Sequence, residues 1–314
     1  MLFAYKIENA TLTPLAPDAA LSEADWIDLY RPQPEQLAQV EALGYDVPSL
    51  ADMEEIEISN RFYRTGNVDV LTVSLPGLDA EKARSFGPVA CLLSPSCLVT
   101  VRFHAPRPFE TLAAHAAGSS AGCTTIARLF LSLMEEIVAR MADLLEGVGR
   151  ELDDRAARLF TEEGIWSRAL QDMLREVGRS GEMLAKYRLS LLTLERALST
   201  FGLSHDDKDL RPLTKARGHD IQALLVHADF LSGRISHLTD VILGMVTLEQ
   251  GITGRIVSVV AVIFLPPTLV ASVYGMNFGY LPGMDSPHGY LIATGLMTLS
   301  ALGTLLFFRW KGWL

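Results

Sequence analysis

Two long stretches near the C-terminus contain no charged residue, and they constrain the fold of this chain more than any other feature. No Asp, Glu, Lys or Arg lies between Arg255 and Asp285, or between Asp285 and Arg309. Each stretch supplies the roughly 20 apolar residues that a helix needs to cross the hydrocarbon layer of a membrane. We therefore predict two membrane helices, at residues 256–274 and 290–308, joined by a polar turn that contains glycine.

The positions of the basic residues predict the orientation of these spans. Arg234 and Arg255 precede the first span, Arg309 and Lys311 follow the second, and the connecting residues 277–288 contain no Lys or Arg. Under the positive-inside rule, both chain ends then lie in the cytoplasm. The first residues lack the apolar core of a signal peptide, so the first 250 residues are expected to stay in the cytoplasm.

The composition narrows the partners of the chain. The formal net charge is -10 although the membrane end is mildly basic, so the acidic balance belongs to the N-terminal part. An acidic surface suits cations and argues against nucleic acid as a partner. Three cysteines in 314 residues are too few for a disulfide framework and are expected to be small core residues. The chain has no P-loop, GxGxxG motif or Ser-His-Asp order, which argues against an enzyme, an ATP-driven pump and an organic cofactor.

The N-terminal third alternates short β-type runs with helical segments, and this predicts a compact cytoplasmic α/β domain over residues 1–122. The predicted helix covers residues 34–43. The predicted strands cover residues 3–7, 26–29, 68–74, 89–93 and 97–103.

Long helical patterns follow this domain. Apolar residues recur at three- and four-residue spacing over 124–160 and again over 167–201, which predicts an antiparallel helix pair within residues 123–218. A third pattern contains no proline until Pro266, so residues 219–275 are predicted to form one stalk helix that becomes the first span at about 256–275. A helix of this length extends beyond a lone domain core and should pack against copies of itself.

The remaining residues complete the predicted order of segments. We expect an extracytoplasmic loop at 276–288, the second span at 289–309 and a basic cytoplasmic tail at 310–314. The fold class is therefore an α+β domain, then long helices, then two C-terminal membrane helices.

The first span and its flanks resemble a known family. The segment VSVVAVIFLPPTLVASVYGMNFGYLPG, residues 257–283, closely resembles the pore helix and signature of the CorA magnesium channels. The segments MLFAYKIENATLTPL, DWIDL and MEEIEISNRFY are similar to the proteobacterial branch, and FRWKGWL is similar to the family's basic, aromatic tail. The resemblance implies a funnel-shaped homopentamer in the bacterial inner membrane, with the first span lining the axis and the second facing lipid.

The residues themselves agree with ion conduction by an oligomer. Two helices per chain cannot enclose a water path, because such a path needs a ring of helices. At Gly275, Met276 and Asn277 the first span should end, leaving carbonyls without intrahelical partners and the electronegative end of the helix dipole outside. Several copies would hold hydrated Mg²⁺ through its waters, with Asn277 amide oxygens in the ring and Met276 packed behind it. The alternative is that Gly-Met-Asn is only a helix C-cap.

The resemblance also assigns residues to the pore. Transferred position by position, it implies a pore face on the first span, which we define as Gly254, Val257, Ala261, Leu265, Thr268 and Ser272. Val257 and Leu265 would form a hydrophobic constriction that gates by dewetting. The Pro266-Pro267 pair is either a tolerated kink or a bend that exposes carbonyls.

Regulation by cytoplasmic Mg²⁺ is implied by the resemblance as well. Mg²⁺ bridging carboxylates between subunits would offset their repulsion and hold the channel closed. Asp79, Glu81 and Asp220 are the candidates, because the family's bridging positions do not map cleanly onto this chain. For each of the three, ordinary solvated surface is the alternative.

Three functions follow, in order of preference. The first is passive Mg²⁺ influx, with Mg²⁺ both transported and regulatory. The second is a transporter of Zn²⁺, Co²⁺ or Ni²⁺ with the same fold, either passive or coupled to protons. Gly283 stands where the family commonly has glutamate, and His288 suits a softer ion. The third is a membrane-anchored scaffold or signalling protein.

Overall fold

The computed structural model of the chain describes residues 1–16, 18–55, 57, 61–161, 167–205, 207–276 and 287–312. The chain forms two compact units. The first, which we call the head unit, consists of Met1–Glu163 and Met173–Leu238. The second, the span unit, consists of Gly164–Asp172 and Thr239–Leu314.

The described residues of the head unit contain one mixed sheet. Its strand order is β2-β1-β3-β7-β6-β5-β4, and only β3 and β7 pair in parallel. All five predicted strands are present, whereas β2 and β4 were not predicted; both are four residues long and lie at the sheet edges, where little apolar patterning is required. The strands are β1 Leu2–Glu8, β2 Thr11–Pro14, β3 Trp26–Tyr30, β4 Phe62–Thr65, β5 Val68–Leu78, β6 Arg84–Leu93 and β7 Leu98–Arg102.

A buried ion pair joins the two central strands of this sheet. Arg102 of β7 donates to Asp28 of β3 at 2.8 Å, and both side chains are almost completely buried. The Thr100 hydroxyl donates to the same carboxylate at 2.8 Å, and the Trp26 indole N–H donates to Thr100 at 3.1 Å. The Arg102 guanidinium also lies 4.5 Å from the centre of the Tyr30 ring. The charges are thus compensated by hydrogen bonds on several sides.

The three cysteines are core residues, as the sequence predicts. Cys91, Cys97 and Cys123 are buried free thiols. Burial raises the pKa of Cys91 and of Cys97 to about 12, so both remain protonated at neutral pH.

Five helices lie among the described residues of the head unit and its neighbouring segment. The long helices α4 and α5 lie where two long helices were predicted, and their antiparallel pairing stays a prediction. Helix α4 buries Leu133, Ile137 and Met141 along one face, and α5 reaches the sheet, where the Ser74 N–H donates to the Thr193 hydroxyl at 3.1 Å. The helices are α1 Pro34–Glu41, α2 Leu50–Glu54, α3 Pro108–His115, α4 Ile126–Thr161 and α5 Ser167–Ser204, with short 3-10 turns at Leu21–Glu23 and Ala116–Gly118.

Two further helices carry the apolar stretches. Helix α6, Arg211–Tyr274, runs for 64 residues, or about 95 Å at the standard rise. It begins at Arg211 instead of near residue 219, because Pro212 is tolerated in a first turn, where amide donors have no intrahelical acceptor. Helix α7, Gly289–Trp310, has 22 residues. Both are long and apolar enough to cross a membrane.

Candidate ion pathway

The pore face lies on one side of a continuous helix. Helix α6 remains helical from Gly251 through Pro266 and Pro267 to Tyr274. The six pore-face residues follow one another at intervals of three or four positions, which places them in one stripe at 3.6 residues per turn. All six are exposed in the single chain, including Val257 at 63% and Leu265 at 68%.

The covered side of α6 lies opposite the pore face. Val259 is only 5% exposed, and Ile263, Val270 and Tyr274, which share its side of the helix, are half-buried. The 3.6-residue period puts this side away from the pore face.

Helix α7 also has one covered stripe and an exposed remainder. The covered stripe consists of Ala293, Met297, Ser300, Thr304 and Phe308. A cleft of about 620 Å³ lies between the two helices, lined by Val259 of α6 and Phe308 of α7, among others. The two spans therefore contact each other through faces that leave the pore face open.

Several hydroxyl groups in both spans donate hydrogen bonds within their own helices. Ser258 donates to the Gly254 carbonyl at 2.8 Å, and Thr268 donates to the Phe264 carbonyl at 2.7 Å. On α7, Thr298 donates to the Thr294 carbonyl at 2.8 Å. Such bonds lower the cost of placing a hydroxyl in lipid and leave its acceptor lone pairs for water or another helix.

The proline pair changes the backbone chemistry beside Thr268. Pro266 and Pro267 have no amide hydrogen, so the carbonyls of Val262 and Ile263 cannot receive the usual bonds from four residues ahead. Since the Thr268 hydroxyl bonds the next carbonyl along, that of Phe264, polar groups concentrate at this level of an otherwise apolar helix.

Helix α6 ends immediately before the signature tripeptide. The Gly275 N–H donates to the Ala271 carbonyl at 2.9 Å, and the Met276 N–H donates to the Val273 carbonyl at 3.3 Å, which is a tightened last turn. A Cβ atom on residue 275 would lie 3.1 Å from the Ala271 carbonyl oxygen, so glycine avoids crowding there. Met276 is 47% exposed in the single chain. Asn277 and the loop to residue 286 lie outside the described residues.

The candidate regulatory acids have local partners. The Asp79 carboxylate accepts the backbone N–H groups of Glu81 and Ala83, both at 2.9 Å, and so closes the turn between β5 and β6. Asp220 forms an ion pair with Arg217 at 3.2 Å. Among the described residues of one chain, no three His, Cys, Asp or Glu side chains come together as a metal site.

Comparison with known proteins connects this architecture to metal transport. The family described as CorA-like Mg²⁺ transporter protein matches residues 22–310. "Magnesium transport protein CorA" of Mannheimia succiniciproducens is 31% identical over 319 residues, covering 100% of both chains. The protein of the same name from Escherichia coli K12 is also 31% identical, again over 100% of both chains.

Solved structures share the fold at lower identity. The complete CorA magnesium transporter of Methanocaldococcus jannaschii superimposes with a TM-score of 0.80 at 19% identity, covering 100% of this chain and 99% of that one. Full-length CmaX gives 0.68 at 17% identity, covering 98% and 96%. The ZntB cytoplasmic domain of Vibrio parahaemolyticus gives 0.56 at 13% identity, covering 77% and 96%. These likenesses confirm the predicted fold class.

Proposed function

This chain belongs to the CorA-like Mg²⁺ transporter family, and we propose that it conducts Mg²⁺ passively into the cell across the inner membrane. The observation that carries the proposal is the open pore face of α6, which lies opposite the face that contacts α7. A helix packed in this way can line an axis while its partner helix faces lipid. The names of the full-length relatives support Mg²⁺ as the ion.

The conducting unit we propose is a homopentamer. One chain contributes two spans, and the residues of the pore face are exposed in it, so a single chain encloses no water path. Copies arranged about an axis would bury the pore face around a shared channel and expose the leucines of α7, such as Leu299 and Leu306, to lipid.

Ion selection would take place where α6 ends. The carboxyl end of each helix carries the electronegative end of its dipole, and several copies would converge there without any formal charge. Mg²⁺ gives up its water reluctantly, so a ring of Gly275 carbonyls and Asn277 amide oxygens would hold the hydrated ion through its water shell. Recognition of the hydrated ion avoids the cost of dehydration.

The proposed pentamer also suggests how the channel closes and in which direction the cation flows. Rings of Val257 and Leu265 would close the axis by excluding water, and Mg²⁺ bound between neighbouring head units at Asp79, Glu81 and Asp220 would favour the closed state. With both chain ends in the cytoplasm, the membrane potential would drive the cation inward, since each elementary charge gains about 2.3 kcal/mol per 100 mV.

Replacement of Asn277 tests this proposal. Asn277→Ala should reduce Mg²⁺ uptake by about tenfold or more, which corresponds to about 1.4 kcal/mol of lost interaction at the filter. The oligomer should still assemble, as judged by size-exclusion chromatography. The matched control is Asn67→Ala, whose side chain bonds Arg64 in an exposed turn. Normal uptake by Asn277→Ala would remove the filter assignment.

A further inference from the structure

A large cavity lies inside the head unit, apart from the proposed ion pathway. Its walls are the ends of β5 and β6, helix α3, and the facing sides of α4 and α5, and its volume is about 970 Å³. That volume lies in the range of pockets that bind small organic ligands.

The lining of the cavity has a small excess of positive charge, although the protein as a whole is acidic. Its lining contains more arginines than carboxylates, in a chain whose formal net charge is -10. The carboxylates are Glu110, Asp143, Glu151 and Glu176. The arginines are Arg84, Arg107, Arg140, Arg155 and Arg179.

Most of the carboxylates in the lining form ion pairs, whereas most of the arginines form none with the described residues. Arg155 pairs with both Glu151 and Glu176 at 3.3 Å, and Arg140 is 3.8 Å from Asp143. Arg84, Arg107 and Arg179 form no ion pair with any residue that the structure describes. Guanidinium groups bind phosphate oxygens through paired N–H donors, so unpaired arginines around a cavity suit a phosphorylated ligand.

A buried tyrosine adds a hydroxyl group to the cavity wall. Tyr187 of α5 is 4% exposed and lines the cavity, yet its hydroxyl makes no hydrogen bond to the described residues. Burial raises the pKa of Tyr187, while Arg84 and Arg140 nearby act in the opposite direction. Because Tyr187 lines the cavity, its hydroxyl can donate a hydrogen bond to a ligand oxygen there.

The lining also provides apolar surface for a second part of the ligand. Leu144 and Val148 of α4 face Met183 of α5 across the cavity. The adjacent Ser180 hydroxyl and Glu176 carboxylate can hydrogen-bond sugar hydroxyl groups. A nucleotide matches these three features, because it has phosphate oxygens, an apolar base and sugar hydroxyl groups.

We propose that this cavity binds a nucleoside diphosphate or triphosphate. Arg84 and Arg107 bind the phosphates, the Tyr187 hydroxyl donates to a phosphate oxygen, and the base packs on Leu144, Val148 and Met183. This proposal does not depend on the transported ion.

Equilibrium dialysis of the purified full-length protein with radiolabelled ADP tests the proposal. The protein is kept in detergent micelles. Excess EDTA is added to exclude binding through a metal ion. We expect saturable binding of one ADP per chain, with pyrophosphate and adenosine each at least tenfold weaker. The double variant Arg84→Gln/Arg107→Gln should weaken ADP binding at least tenfold, and Tyr187→Phe should weaken it several-fold.

Controls separate binding from folding. Arg84 and Arg107 are exposed, and Tyr187→Phe conserves volume, so their melting temperatures should match the wild type. Arg188→Gln should leave ADP binding unchanged, because Arg188 follows Tyr187 on α5 but pairs with Asp229 at 3.1 Å and does not line the cavity.

Four results would overturn the proposal. Absence of saturable ADP binding at millimolar concentration would remove the site, and unaltered affinity in the double variant would place ADP elsewhere. If adenosine bound as tightly as ADP, the arginines would not contribute to binding. If pyrophosphate bound as tightly as ADP, the nucleoside would not contribute.

Discussion

At the scale of single residues, the Asp28–Arg102 pair holds the sheet of the head unit together. It joins β3 with β7, the only parallel strand pair in the described part of the sheet, and so connects two antiparallel halves. Neither charge has access to water, so each depends on the other. An exposed pair such as Lys6–Glu23 has no such dependence, because water replaces the missing partner.

Removing one member of the buried pair should therefore destabilise the protein strongly. Asp28→Ala leaves the Arg102 charge buried without compensation, and we expect a loss of about 3–5 kcal/mol in the free energy of unfolding. The control Glu23→Ala should cost less than about 1 kcal/mol. Urea unfolding followed by tryptophan fluorescence measures both. Equal effects of the two substitutions would show that the buried pair is not required.

At the scale of elements, helix α6 has two sides with different surroundings. Its covered side contacts α7, whereas its pore face remains open. The division follows from the 3.6-residue period, because residues three or four positions apart share a side and residues two positions apart do not.

Cysteine substitution distinguishes the two sides of α6. The native cysteines are buried, so the reaction of a new cysteine with a charged methanethiosulfonate can be followed against a low background. On the pore face, modification of Ser272→Cys should block Mg²⁺ uptake, because the site would face an aqueous channel. Modification of Val270→Cys, on the covered side, should leave uptake intact. Block at Val270 and not at Ser272 would reverse the assigned faces.

The elements also show where sequence patterns carry information. The five longer strands, the helix pair and both spans were predictable, because each has a local apolar period that its burial then uses. The short edge strands β2 and β4 escaped prediction because edges require little burial. The arginine cavity escaped it for another reason: Arg84, Arg107 and Arg179 come from separate elements, and only the folded chain brings them together.

The pore face was assigned from the family resemblance and stays a prediction. The structure leaves that side of α6 exposed. The side of α7 that faces α6 was not predicted. Because α7 is apolar on all sides, the spacing of its apolar residues does not distinguish lipid contact from protein contact. The filter assignment to Asn277 stays a prediction, since this residue lies outside the described residues.

At the scale of the whole molecule, an acidic head unit repeated around an axis would bring like charges together. Divalent cations between the copies would reduce this repulsion, and the closed state would then be the one that binds Mg²⁺.

Limited proteolysis tests this coupling. Millimolar Mg²⁺ should slow digestion of the head unit relative to EDTA in wild-type protein. The triple variant Asp79→Ala/Glu81→Ala/Asp220→Ala should lose the protection. A control triple variant of other exposed acids, Glu35→Ala/Glu41→Ala/Asp154→Ala, should retain it. Digestion that does not respond to Mg²⁺ in the wild type would leave the protein without the proposed regulation.

Flux into liposomes that contain the purified wild-type protein tests whether the protein conducts Mg²⁺ passively. With an inside-negative potential and no pH gradient, we predict rapid Mg²⁺ entry, inhibition by an exchange-inert hexaammine complex of similar size to hydrated Mg²⁺, and little Zn²⁺ entry. Zn²⁺ flux that requires a pH gradient, with no Mg²⁺ flux under any condition, would contradict the account and support the zinc-transporting alternative.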